Sequence, residues 1–85
     1  MAKMFSENAQ IILTHLQNNT AVDETYKDIA DALGLDPKSV NGVLNGLQRK
    51  GLIERESSAE DAKVKYVRLT PEGAQADPDA DKPEA

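Results

Sequence analysis

The 85-residue sequence has no cysteine and no tryptophan, a single histidine, and only two tyrosines and one phenylalanine. Without cysteine there is no disulfide staple and no thiolate-held metal, and with His15 alone almost every histidine-based metal site is excluded as well. Stability must then come from an aliphatic core. Residues 1–69 contain four Ile, eight Leu and five Val, each contributing roughly 1.5 to 3 kcal/mol when buried. That sum, set against an ordering cost of about 1 to 2 kcal/mol per residue, supports one small core. The longest apolar run, Ile11-Ile12-Leu13, falls far short of the roughly 20 residues of a membrane span or the about 7 to 15 of a secretory h-region. The chain is therefore expected to be soluble and cytoplasmic. It also lacks a nucleophile with a base beside it, a glycine-rich phosphate loop and a metal-ligand set. Catalysis, metal and cofactor are accordingly not expected.

Charge of one sign dominates only on average. Ten Lys and Arg against fifteen Asp and Glu give a net charge of -5, but a chain average hides any local field. Residues 1–69 carry nine basic and ten acidic side chains, a balance of -1, whereas residues 70–85 hold Lys82 against Glu72, Asp77, Asp79, Asp81 and Glu84, a balance of -4. From 37 to 55, Lys38, Arg49, Lys50 and Arg55 face Glu54 alone, a local +3. The stretch 74–85 has two prolines, alternating acids and no large apolar residue. It reads as a disordered acidic tail following a domain of residues 1–73. The spacing of Asp77, Asp79 and Asp81 lacks the glycine and closing glutamate of a calcium loop. A tail of this charge is a candidate for folding back on the basic face, in which case deleting residues 74–85 would tighten binding of an anionic partner at low salt.

Ala9, Ile12, Leu13 and Leu16 recur at i, i+3, i+4 and i+7 behind Ser6, predicting a helix over 6–18. The Asn18-Asn19-Thr20 cluster breaks it, and a brief extended segment is expected around Val22. Thr25 with Asp28 forms a capping-box pattern that opens a helix over 26–33, closed by Gly34. Asp36 followed by Pro37 opens a third helix, over 37–50, with the stripe Val40, Val43, Leu44 and Leu47 and an end at Lys50-Gly51. Two helices joined by so short a turn make a helix-turn-helix unit. A strand over 52–56, a polar loop over 57–62 and a strand over 63–69 then predict a hairpin, stopped by Thr70-Pro71-Glu72-Gly73. The fold class read from this order is α+β: a winged helix-turn-helix, three helices followed by a two-stranded hairpin wing.

Three stretches resemble the DNA-binding lobe of MarR-type winged-helix regulators. They are the run from Thr25 to Leu35 continuing through Val40, Leu47-Gln48-Arg49-Lys50-Gly51-Leu52-Ile53-Glu54-Arg55, and Val67-Arg68-Leu69-Thr70-Pro71-Glu72-Gly73. The resemblance covers about 50 of the 85 residues and implies a small sequence-specific DNA-binding transcription regulator, with helix 37–50 in the major groove and hairpin 52–69 on the backbone. Two features depart from the family pattern. The long terminal helices with which members dimerise are not read here, and the usual D-x-R of the wing stands as Asp61-Ala62-Lys63.

On a helical wheel the third helix turns Lys38, Asn41, Gly42, Asn45 and Arg49 away from its apolar stripe, and Lys38, Ser39, Asn41 and Asn45 are the candidates for base contacts. Gly42 and Gly46 each cost about 1 kcal/mol relative to Ala inside a helix, which suggests close approach by DNA or by a protein helix. Arg55, Lys63, Lys65 and Arg68 are candidate phosphate contacts on the wing, or else the charges of an ordinary soluble hairpin edge. His15 reads as a surface residue, or with Ile11 as part of a homodimer contact, since helix-turn-helix proteins bind half-sites as two-fold dimers. The expected partner is double-stranded DNA. The alternative is a winged-helix protein-protein interaction module that does not bind DNA, favoured by the acidic total charge and the two glycines.

Overall fold

A computed structural model of the chain describes residues 4–19 and 23–80. Three helices, α1 (Glu7–Asn18), α2 (Tyr26–Leu33) and α3 (Pro37–Arg49), are followed by strands β1 (Ile53–Ser57) and β2 (Lys65–Leu69) and by a five-residue helix, α4 (Pro71–Gln75). The winged-helix order is as expected; α4 is additional.

Each of the first three helices begins where a side chain can accept a free backbone N–H. Ser6 accepts from Ala9 at the head of α1. Thr25 and Asp28 exchange hydrogen bonds of 3.1 and 3.2 Å in a complete capping box on α2. Asp36 accepts from Ser39 ahead of Pro37 on α3. The two glycines at φ 67 and 76, Gly34 and Gly51, turn the chain out of α2 and out of the α3 exit in the left-handed conformation that a side chain disfavours. Helix α3 ends at Arg49, with Lys50 as its cap.

The apolar stripes converge on a single core. Ala9, Ile12, Leu13 and Leu16 of α1 meet Ile29 and Ala30 of α2 and Val40, Leu44 and Leu47 of α3, and Phe5, Ile53 and Val67 complete it. The four α1 residues are the four that its periodicity selected. Val43 packs at the rim, partly buried.

The two strands pair antiparallel, Ile53 opposite Leu69 through Ser57 opposite Lys65. Directly opposed residues share a face, so Ile53, Arg55, Val67, Leu69, Ser57 and Lys65 lie on one side of the hairpin. Glu54, Glu56, Tyr66 and Arg68 lie on the other. Burial of Ile53 and Val67 makes the first side the inner one. Val22, the expected centre of an extended segment, lies outside the described residues; Glu24 makes an isolated bridge to Val67, whose N–H donates to the Glu24 carbonyl at 2.8 Å. The second strand starts at Lys65, so Lys63 belongs to the loop rather than to the strand. Its N–H is held by Asp61 at 2.9 Å.

The sequence Thr70-Pro71-Glu72-Gly73 stops β2 as expected, but it also starts α4. The Thr70 hydroxyl donates to the Gly51 carbonyl at 2.6 Å and accepts from Gly73 N–H at 3.0 Å, while Thr70 N–H donates to the Leu52 carbonyl. Thr70 thereby fastens the end of the wing to the exit of α3 and caps the new helix at once. Gln17 of α1 donates to the carbonyls of Gly73 and Ala76, at 3.0 and 2.7 Å. Beyond α4 the chain returns to the N-terminal segment, where Met4 N–H donates to the Ala80 carbonyl at 2.8 Å. The domain boundary read at Gly73 therefore falls inside α4, and residues 74–80 continue the packed unit. Residues 81–85 lie outside the described residues.

Candidate functional site

Pro37 to Arg49 contains no acidic residue. Because Val40, Leu44 and Leu47 are buried against α1 and the hairpin, the opposite face of α3 is set outward by the core itself. Lys38, Gly42, Asn45 and Arg49 are exposed on it, as is Ser39, whose hydroxyl and N–H both bond Asp36. A side chain added at Gly42 or at Gly46 would meet nothing within 4 Å. The close approach that these glycines allow is thus not used by any described part of this chain.

Asn41 is half-buried and tied to the wing. Arg55, on the inner face of β1, donates from Nη1 to Asn41 Oδ1 at 2.9 Å and from Nη2 to the Asn41 carbonyl at 3.3 Å. Its Nε–H is buried without a partner among the described residues. Two nitrogens of Arg55, a candidate phosphate contact, are thus bonded to α3. Arg55 also lines a cleft of about 360 Å³ between the start of α2 and the wing, together with Thr25, Tyr26, Lys27, Lys63 and Lys65. Four cationic residues and no carboxylate border that cleft.

Lys27 was not among the sequence candidates. Its ammonium stands 5.9 Å from the centre of the Tyr26 ring, at the outer limit of a cation–π contact. The only signal for it was an exposed lysine in the first turn of a helix-turn-helix unit. Its cationic neighbours in the cleft come from a hairpin 28 to 38 residues further along the chain.

Arg68 is not part of this surface. It lies on the outer face of the hairpin, where Nη1 pairs with Asp23 and Nε with Glu56 at 3.4 Å. The hydrogen bond to Asp23, helped by Glu56, raises its pKa above the ordinary arginine value. The Arg68 guanidinium is thus held between two carboxylates on the side of the hairpin away from Lys65. His15 likewise departs from the surface expectation. Its Nε2 lies 3.0 Å from both oxygens of Glu24, with side-chain exposures of 15% and 11% for the pair. Asn19 Nδ2 lies 3.4 Å from Nδ1 and donates to the His15 carbonyl at 2.7 Å. The network ties α1 to the segment bridged to β2. Ile11 remains exposed beside it.

Residues 11–63, more than half of the chain, match the family model described as the MarR family. The chain belongs to the MarR family. Solved structures agree with that membership. A Staphylococcus aureus MepR variant bound to an oligodeoxyribonucleotide is 32% identical over 81% of this chain and 50% of its own, with a TM-score of 0.77. The MepR–DNA complex is 31% identical over 84% of this chain and 57% of its own, with a TM-score of 0.75. MepR itself, described as a transcription regulator of the multidrug efflux pump MepA, is 29% identical over 85% of this chain and 52% of its own, with a TM-score of 0.78. This MarR-family chain thus spans about half the length of the solved relatives it matches and has the winged-helix fold of their transcription regulators. Among curated proteins nothing matches it. No described helix is long and apolar enough to cross a membrane.

Proposed function

We propose that this MarR-family chain binds double-stranded DNA sequence-specifically and acts in transcription control, with α3 in the major groove and the wing beside the adjacent backbone. The observation that carries the reading is the exposed face of α3. It is polar and basic and free of carboxylates, opens at Gly42 and Gly46, and continues through Arg55 into the cationic cleft of Lys27, Lys63 and Lys65. An α-helix with such a face suits the major groove, where Asn and Lys pair with base edges, and wing cations neutralise phosphates without reading sequence. MepR solved with DNA supports it. Two copies on a two-fold half-site pair would be the arrangement typical of such helices.

The test is titration of labelled duplexes, random and genomic, at about 50 and 200 mM salt. Binding that weakens steeply with salt and retains a sequence preference, which an Asn45→Ala variant reduces, is the expected result. A folded protein that binds no duplex at the lower salt rejects DNA as the partner and leaves a protein helix seated on Gly42 and Gly46 as the alternative.

A further inference from the structure

Asn41 and Asn45 stand one turn apart on the same face of α3 and carry the same side chain, yet their hydrogen-bonding capacities differ. Asn45 is exposed, and both of its amide atoms are without partners among the described residues. Asn41 is not free in this way: its Oδ1 accepts from Arg55 Nη1 at 2.9 Å, and its main-chain carbonyl accepts from Nη2 at 3.3 Å. A guanidinium has donors only. Rotating the Asn41 amide would set an NH₂ group against those donors and break the bond, so the oxygen must face Arg55 and the Nδ2 hydrogens must face away from it. Arg55 is in turn held by its position on the inner face of β1 between Ile53 and the buried Val67 register partner.

We propose that Arg55 biases Asn41 toward donating, and so toward reading guanine, while Asn45 keeps the capacity for adenine. The inference rests on the reading of α3 as the helix that enters the major groove. Bidentate recognition of adenine needs one acceptor, for N6–H, and one donor, toward N7. Asn41 Oδ1 keeps a second lone pair, but the guanidinium already takes the first and its positive charge repels an approaching N6–H donor, so Asn41 offers adenine a poorer acceptor than Asn45 does. Guanine presents two acceptors in the major groove, N7 and O6, which the two Nδ2 hydrogens can satisfy together. Asn41 is then the specificity-determining residue at its base pair, and Arg55 a positioning residue that acts through it. The wing thus contributes to base choice from a side chain that touches no base.

The experiment is selection of bound duplexes from a randomised pool by the full chain and by four variants, with thermal melts of each. Asn41→Ala identifies the base pair that residue 41 reads as the one position whose preference flattens. Wild type is expected to prefer guanine over adenine there by about tenfold or more, the lower range of one bidentate contact. Arg55→Met, similar in length but unable to donate, should free Oδ1 and lower that guanine-to-adenine ratio at least tenfold while the preference read by Asn45 persists. Asn41→Asp keeps an acceptor toward Arg55 and has no donor, so it should lose guanine at that pair. Asn45→Ala should flatten a different pair. An adenine preference in wild type at the Asn41 position, or an Arg55→Met chain that folds and keeps the guanine preference, overturns the proposal. Should Arg55→Met fail to fold, wild type and Asn41→Asp decide. A wild-type consensus that Asn41→Ala leaves intact defeats this inference alone, whereas selection of no sequence by any folded chain defeats the DNA-reading function with it.

Discussion

Gly73 is buried, and a Cβ placed on it would collide with the carbonyl of Leu52 and lie 3.1 Å from Leu69 Cδ2. The Leu52 oxygen cannot withdraw, because it accepts the Thr70 N–H that joins the wing to the α3 exit. Gly73→Ala is therefore expected to destabilise the fold by about 3 kcal/mol, the upper range for an overpacked site, and denaturant unfolding would measure it. A loss below about 0.5 kcal/mol, the range of ordinary surface substitutions, would mean that α4 does not dock as described. This residue also shows what sequence reading captures and what it misses. Gly73 was legible as part of a chain-turning motif, but its reason is a contact with a residue 21 positions earlier. The same holds for the ionic side chains. Composition predicted which residues are charged, whereas the bonds of Arg55 to Asn41, Arg68 to Asp23 and His15 to Glu24 depend on tertiary neighbours. Three candidate site residues consequently have partners that no local pattern announces.

Among the elements, α1, α2 and α3 were legible almost to the residue because their start signals are local. A hydroxyl or carboxylate at the cap meets N–H groups two or three residues on, and the glycine after α2 needs only its own φ. Helix α4 was not, since five residues that begin with Pro and contain Gly have no helical periodicity; it is held by Thr70 on Gly51 and by Gln17 from α1. The strands were legible in kind, but β2 starts later than expected because the Asp61 turn takes in Lys63. Helix α3 keeps a local cost that nothing in its own fold offsets. Replacing Gly42 or Gly46 with Ala meets open space and should raise stability by up to about 1 kcal/mol each. Thermal melts would register the gain, while the same variants should bind duplex DNA more weakly if the groove wall comes close at these positions. Unchanged DNA affinity in both would leave the glycines without a role at the interface.

Across the whole molecule, a net charge of -5 does not oppose DNA binding, provided that its two signs are kept on different faces. The inner side of the hairpin and the start of α2 gather Lys27, Arg55, Lys63 and Lys65, and the outer side gathers Glu54, Glu56 and the Arg68 cluster. Segment 76–80, with Asp77 and Asp79, runs past Lys50 and Leu52 toward the first described residues, at the far end of α3 from Lys38. Affinity for a phosphate backbone falls with salt by a logarithmic slope of about 0.9 per phosphate neutralised. A cation on the inner face should accordingly count toward that slope, and one on the outer face should not. Lys65→Ala is expected to reduce the slope by about 1 without altering the base preference, whereas Arg68→Ala should leave the slope as in wild type. Fluorescence anisotropy across a salt series, with one selected duplex, measures both. Equal losses from the two variants would show that the outer face also meets phosphate, and that the division of charge between the two sides of the wing does not direct how DNA docks.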